Sequence, residues 1–144
     1  MCLHNNGHMD MTPPDLLARI ETWPARAQAH FVTLRGIVHE VAASEDIGPL
    51  DESLKWGQPA WRPKRQRVGS TLRVDWSPAF PDRLMAFVDC KTDLAAQMDT
   101  RFPGQFANDG RRALGFDLDA ALDQDAIWTL AHLTLSYHRS KRAT

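Results

Sequence analysis

The stretch Thr71-Leu-Arg-Val-Asp-Trp-Ser-Pro-Ala-Phe-Pro-Asp-Arg-Leu-Met-Ala-Phe-Val88 holds two kinds of β-strand separated by a turn. Leu72, Val74 and Trp76 alternate with Thr71, Arg73 and Asp75, the period-two pattern of a strand with one wet face. Leu84 to Val88 is continuously apolar, which predicts a central strand covered on both sides. Ser77-Pro-Ala-Phe-Pro81 between them is rich in turn residues. Two neighbouring strands joined by so short a loop are antiparallel.

Upstream the period changes to that of a helix. Ala27, Phe31, Leu34, Val38 and Val41 recur at three- and four-residue steps, which predicts a helix from Pro24 to about Ser44. Gly48-Pro49 supplies the stop. Before it, Thr12-Pro-Pro-Asp15 reads as the start of a shorter helix bearing Leu16, Leu17 and Ile20. Ser53–Trp56 and Ala60–Arg62 are expected as short strands around a bend at Gly57-Gln-Pro59, followed by a hairpin loop from Arg62 to Gly69. Downstream, Thr92 is placed to cap a helix that ends at Pro103-Gly104. Arg112–Leu118 then reads as a last strand, with Leu114, Phe116 and Leu118 facing in, before a final helix to about His138. This order predicts a single α+β domain over residues 12–140, helices packed on a mainly antiparallel sheet. Residues 1–11 lack periodicity and are expected to be a disordered tail, with Met1, Met9 or Met11 as the start; 141–144 form a second tail.

Composition narrows the function. The 144 residues are 43% hydrophobic and 24% charged with a net charge of −1, so no global field favours nucleic acid, and none is expected as a partner. No apolar run approaches the ~20 residues of a membrane span. Two cysteines, Cys2 and Cys90, make no disulfide framework, which points to a reducing cytoplasm.

One motif stands apart. Glu52-Ser-Leu-Lys-Trp-Gly-Gln-Pro-Ala-Trp61 resembles the signature of the YdhG-like family, a Glu-x-x-Lys-Trp-Gly-x-Pro-aromatic core. Val88-Asp-Cys-Lys-Thr92, Phe102-Pro103, Gly110-Arg-Arg-Ala113 and Tyr137-His138 fall in the order of later landmarks of that family. The resemblance implies a compact domain with helices on one antiparallel sheet. It also implies a link to iron, because some relatives are described as frataxin-like intracellular iron chaperones. The first helix offers only Asp15 and Glu21 as carboxylates for a surface iron site.

The candidate ligand-binding residues are Trp56, Gln58, Trp61, Cys90, Lys91, Arg111 and Arg112. The two indoles and Gln58 would make a pocket wall, or else pack beneath the helices around a tight corner. Cys90, expected at the end of a buried strand beside Lys91 and a helix N-terminus, has two influences favouring thiolate; its other reading is an inert core thiol. Arg111 and Arg112 suit bidentate anion contacts. Asp117, Asp119, Asp123 and Asp125 form one acidic cluster for a hard cation or, more simply, for helix starts and turns. Arg62, Lys64, Arg65 and Arg67 make a basic loop that could grip phosphate or, more simply, is a solvated hairpin. His30 and His39, like His132 and His138, lack metal-ligand spacing, and Cys2, His4 and His8 lie in the tail.

These residues lead to a small intracellular binding or carrier domain for a small molecule or metal ion, iron by resemblance. The first alternative is an enzyme acting on a small anion through Cys90 or Arg111 and Arg112. The second is a protein–protein adaptor; a homodimer is compatible with either.

Overall fold

The computed structural model describes residues 12–143. The expected tail at 1–11 lies outside the described residues, as do Cys2, His4 and His8. Five helices and a six-stranded antiparallel sheet form one small α+β domain. The helices are α1 (Pro14–Ile20), α2 (Ala25–Ser44), α3 (Leu94–Arg101), α4 (Gln124–Leu135) and α5 (Tyr137–Ala143). The strands are β1 (Leu50–Lys55), β2 (Gln58–Pro63), β3 (Leu72–Asp75), β4 (Arg83–Phe87), β5 (Ala107–Asn108) and β6 (Ala113–Asp117), in spatial order β1-β2-β3-β4-β6-β5.

The helical stripe read from sequence is the core. Ala27, Phe31, Leu34, Val38 and Val41 are all fully buried, against Trp61, Leu72, Val74, Leu84, Ala86 and Leu114 from the sheet and Ile127, Leu130 and Ala131 from α4. Chain geometry ends α2 five residues before Pro49. Asp46 takes a left-handed φ of 53°, and the N–H groups of Ile47 and Gly48 both donate to Ala42 O.

Strand alternation sorts the sheet into two faces. Leu72, Val74, Ala86, Leu84, Leu114 and Phe116 point toward the helices, so Arg73, Asp75, Met85, Phe87 and Ala113 point away. The continuous apolar run of β4 does not therefore lie between two helical layers. Phe87 on its outer side is half-buried, covered by the Arg73 guanidinium 5.6 Å above its ring.

Several local expectations change. The bend after β1 is the two-residue turn Trp56-Gly57, and Gln58 and Pro59 already belong to β2. The helix after Cys90 starts at Leu94 with Asp93 as N-cap; Thr92 Oγ1 is 3.4 Å from Leu94 N. Thr12 is not the N-cap of α1, since Pro13 holds that position. The final helical segment does not stop near His138, and 141–143 are not a tail, because α5 runs to Ala143. Arg139 is fixed: its N–H donates to Val68 O, and its guanidinium donates to Glu45 O and Asp46 O, the C-cap carbonyl of α2 and the one after it. The short β5 has no period-two signal in two residues.

Candidate functional site: a cationic groove beside an exposed tryptophan

The two tryptophans of the motif do not share a wall. Trp61 is fully buried, stacked on Phe31 with centroids 5.9 Å apart, and its Nε1–H donates to Glu52 Oε2 at 2.7 Å. It belongs to the core. Trp56 is 89% exposed at the tip of the β1–β2 turn.

Backbone geometry makes Trp56 more unusual still. Trp56 and Gly57 have φ of 56° and 75°, so both turn residues are left-handed. A two-residue hairpin with two positive φ values favours Asn-Gly, and an L-residue with a bulky side chain is disfavoured there by about 1–2 kcal/mol. The indole neither packs into the core nor suits its turn.

Beside it lies a groove of about 260 Å³ whose walls include Lys55, Trp56, Arg73, Asp89, Cys90 and Arg112. Three cations face one acid in a chain whose net charge is −1. Arg73 is held in place from two sides: Nη1 donates to Gln58 Oε1 at 2.8 Å, and the guanidinium lies over the Phe87 ring. Gln58 in turn reaches Asp75 Oδ2 at 3.5 Å, and Asp75 is paired with Arg19 Nη2 at 3.1 Å. Burial pushes the Asp75 carboxyl above its ordinary range, against the opposing pull of Arg19 and Gln58. Arg19 Nε also donates to Gly57 O at 2.9 Å, tying the hairpin tip to α1. Lys55 has no ion-pair partner among the described residues.

The groove thus gathers Trp56, Cys90 and Arg112 from three separate parts of the chain, and Gln58 supports it through Arg73. Trp61 is excluded. Lys91 and Arg111 are exposed but do not line the groove. Arg111, Arg112 and Ala113 each donate a backbone N–H to Asp109 Oδ1. Slight burial raises this carboxyl, but the three N–H groups and the Arg112 charge outweigh it and hold it below its ordinary range. Cys90 is exposed in the turn Asp89–Thr92 rather than at the end of a buried strand, and it precedes the first turn of α3.

The sequence reading missed a second polar cluster. Arg35 on α2 donates to Glu52 on β1 with Nε at 2.6 Å from Oε2 and Nη2 at 2.8 Å from Oε1; His39 Nε2 is 3.0 Å from the same Oε2. Burial alone raises the Glu52 carboxyl, but hydrogen bonds from His39, Arg35 and Trp61 together bring it down from 4.5 to about 2. The signals were present. Arg35 is four residues from Phe31 and three from Val38, and Glu52 lies between Leu50 and Leu54 at strand period.

Several residues of the remaining clusters have partners within the fold. Asp117 Oδ1 accepts the Asp119 N–H, Asp119 pairs with Arg26, and Asp123 caps α4 by accepting the Ala126 N–H. A larger cleft of about 650 Å³ runs past Asp82, Arg83, Phe106, Asp117 and Asp119. In the basic loop, Arg62 pairs with Asp51 and Arg65 with Asp46, each at 3.6 Å. Among the described residues no group of three or more His, Cys, Asp or Glu side chains is placed to hold a metal ion. None of the helices among them is long and apolar enough to cross a membrane. The chain matches no family model, no curated protein and no solved structure.

Proposed function

We propose that this domain binds a small anionic ligand in the groove beside Trp56, as a binding or carrier protein without chemistry of its own. One observation carries the reading. Trp56 occupies a left-handed turn position that disfavours it, and it leaves its ring almost wholly in water next to three cations. Residues that break a local structural rule without repaying it in packing cluster at functional sites. Lys55, Arg73 and Arg112 supply the charge, and Arg73 and Arg112 supply planar forks suited to carboxylate or phosphate.

An iron-carrying role, the expectation from the YdhG-like resemblance, draws no support from the arrangement of carboxylates and imidazoles among the described residues. The groove favours an anion over a cation on charge alone.

A thermal-shift series at low ionic strength tests this, comparing small carboxylates and inorganic phosphate with anaerobic Fe²⁺ and other divalent ions. A ligand at 100 times its Kd adds about 2.7 kcal/mol, or roughly 5–10 °C for a domain of this size. Stabilisation by anions that disappears in Lys55→Ala and Arg112→Ala supports the proposal. Stabilisation by Fe²⁺ alone would return the assignment to a metal carrier.

A further inference from the structure

Resting on that reading, we infer that the groove selects one class of anion: a planar aromatic ring bearing a carboxylate or phosphate oxyanion. The charge requirement and the ring requirement come from different residues. Arg73 and Arg112 project from β3 and from the turn before β6, while the indole of Trp56 stands on the β1–β2 turn at the groove's edge. A ligand that satisfies only the cations leaves the indole exposed, so a simple inorganic ion makes no use of it. A ring held against the indole face gains stacking and removes apolar surface from water, which its oxyanion then anchors at the guanidinium groups.

The geometry is prepared for this in two ways. Arg73 is already clamped between Gln58 Oε1 and the Phe87 ring, so little side-chain freedom is lost when it receives an anion. The hairpin tip is tied to α1 through Arg19 Nε and Gly57 O, which fixes the turn that carries the indole. The only acid among the lining residues, Asp89, is engaged through Oδ1 by the Lys91 N–H at 2.9 Å. At about 260 Å³ the groove lies below the ~300–1,000 Å³ of sites for drug-sized molecules, so the ligand is small.

Isothermal titration with four probes separates the two requirements: 2-naphthoate, 2-naphthyl phosphate, the saturated decahydro-2-naphthoate, and neutral 2-naphthamide. The expected result is that at least one aromatic anion binds tenfold or more tightly than the saturated carboxylate and the neutral amide. In Trp56→Ala, whose exposed side chain the fold does not need, that preference over the saturated carboxylate falls to nearly one. Equal binding of aromatic and saturated carboxylates by the native chain, or a preference unchanged in Trp56→Ala, overturns ring selection while leaving the anion site standing. Naphthamide binding as tightly as the anions overturns the charge requirement. If no anion binds at all, the anion reading falls together with this one.

Discussion

Arg35 and Glu52 form a two-pronged ion pair with almost no solvent access, their side chains 4% and 10% exposed. The pair joins α2 to the edge strand β1 and sits directly behind Trp61, whose indole N–H shares the same carboxylate. The same strand ends at Lys55 and leads into Trp56, so a buried charge pair anchors the strand that reaches the groove. Breaking one side of such a pair leaves an uncompensated charge in the core. Glu52→Gln is therefore expected to lower stability by about 3–5 kcal/mol in urea unfolding. Arg35→Met combined with Glu52→Gln should be more stable than Glu52→Gln alone, because the stranded guanidinium is gone. A single variant within 1 kcal/mol of the native chain would refute this account.

The same carboxylate predicts the acid behaviour. Its folded pKa is about 2, below the ordinary 4.5, so the folded state binds the proton less well than the unfolded chain does. The stabilisation is complete above about pH 5 and drains away as pH falls toward 2, with an upper value of roughly 3 kcal/mol. Midpoints of urea unfolding measured from pH 7 to pH 2 check this. In Glu52→Gln the fall across that window should be shallower by a comparable amount.

Much of the fold was legible because the core is built from simple periodicities. The α2 stripe, the alternation in β3 and the inward Leu114, Phe116 and Leu118 all follow from side-chain geometry along a single element. The site was not legible in the same way. Trp56 and Trp61 are five residues apart, and nothing local says that one enters the core while the other stays in water. That separation depends on where the turn falls: placing it at Trp56-Gly57 rather than at Gly57-Gln-Pro59 fixes which side each residue takes. Arg73 escaped notice because a charged residue on the wet side of a strand is ordinary until its neighbours across the sheet are known.

Two glycines separate close packing from open space. A Cβ on Gly69 would lie 2.0 Å from the Leu135 carbonyl oxygen at the end of α4, where backbone cannot yield cheaply. The adjacent Ser70 N–H donates to Thr134 O at 2.8 Å, which fixes the approach. Gly69→Ala should cost about 1–3 kcal/mol as an overpacked contact. Gly36, inside α2 with nothing within 4 Å of its added Cβ, should behave in the opposite way. Gly36→Ala is expected to stabilise by about 0.5–1 kcal/mol. Thermal unfolding of both variants measures the contrast, and equal effects of one sign would contradict the packing described.

Trp56 offers the sharpest separation of stability from function. Asn tolerates the left-handed conformation at this turn position and, ahead of Gly57, completes the pair that such hairpins prefer. The indole is exposed, so its removal sacrifices little burial. Trp56→Asn is therefore expected to raise stability by about 1 kcal/mol while abolishing recognition of aromatic anions. Urea unfolding and titration with 2-naphthoate on the same preparation read the two quantities independently. A variant that is less stable than the native chain would mean that the indole contributes to the fold, and the argument that it is retained for a ligand would lose its premise.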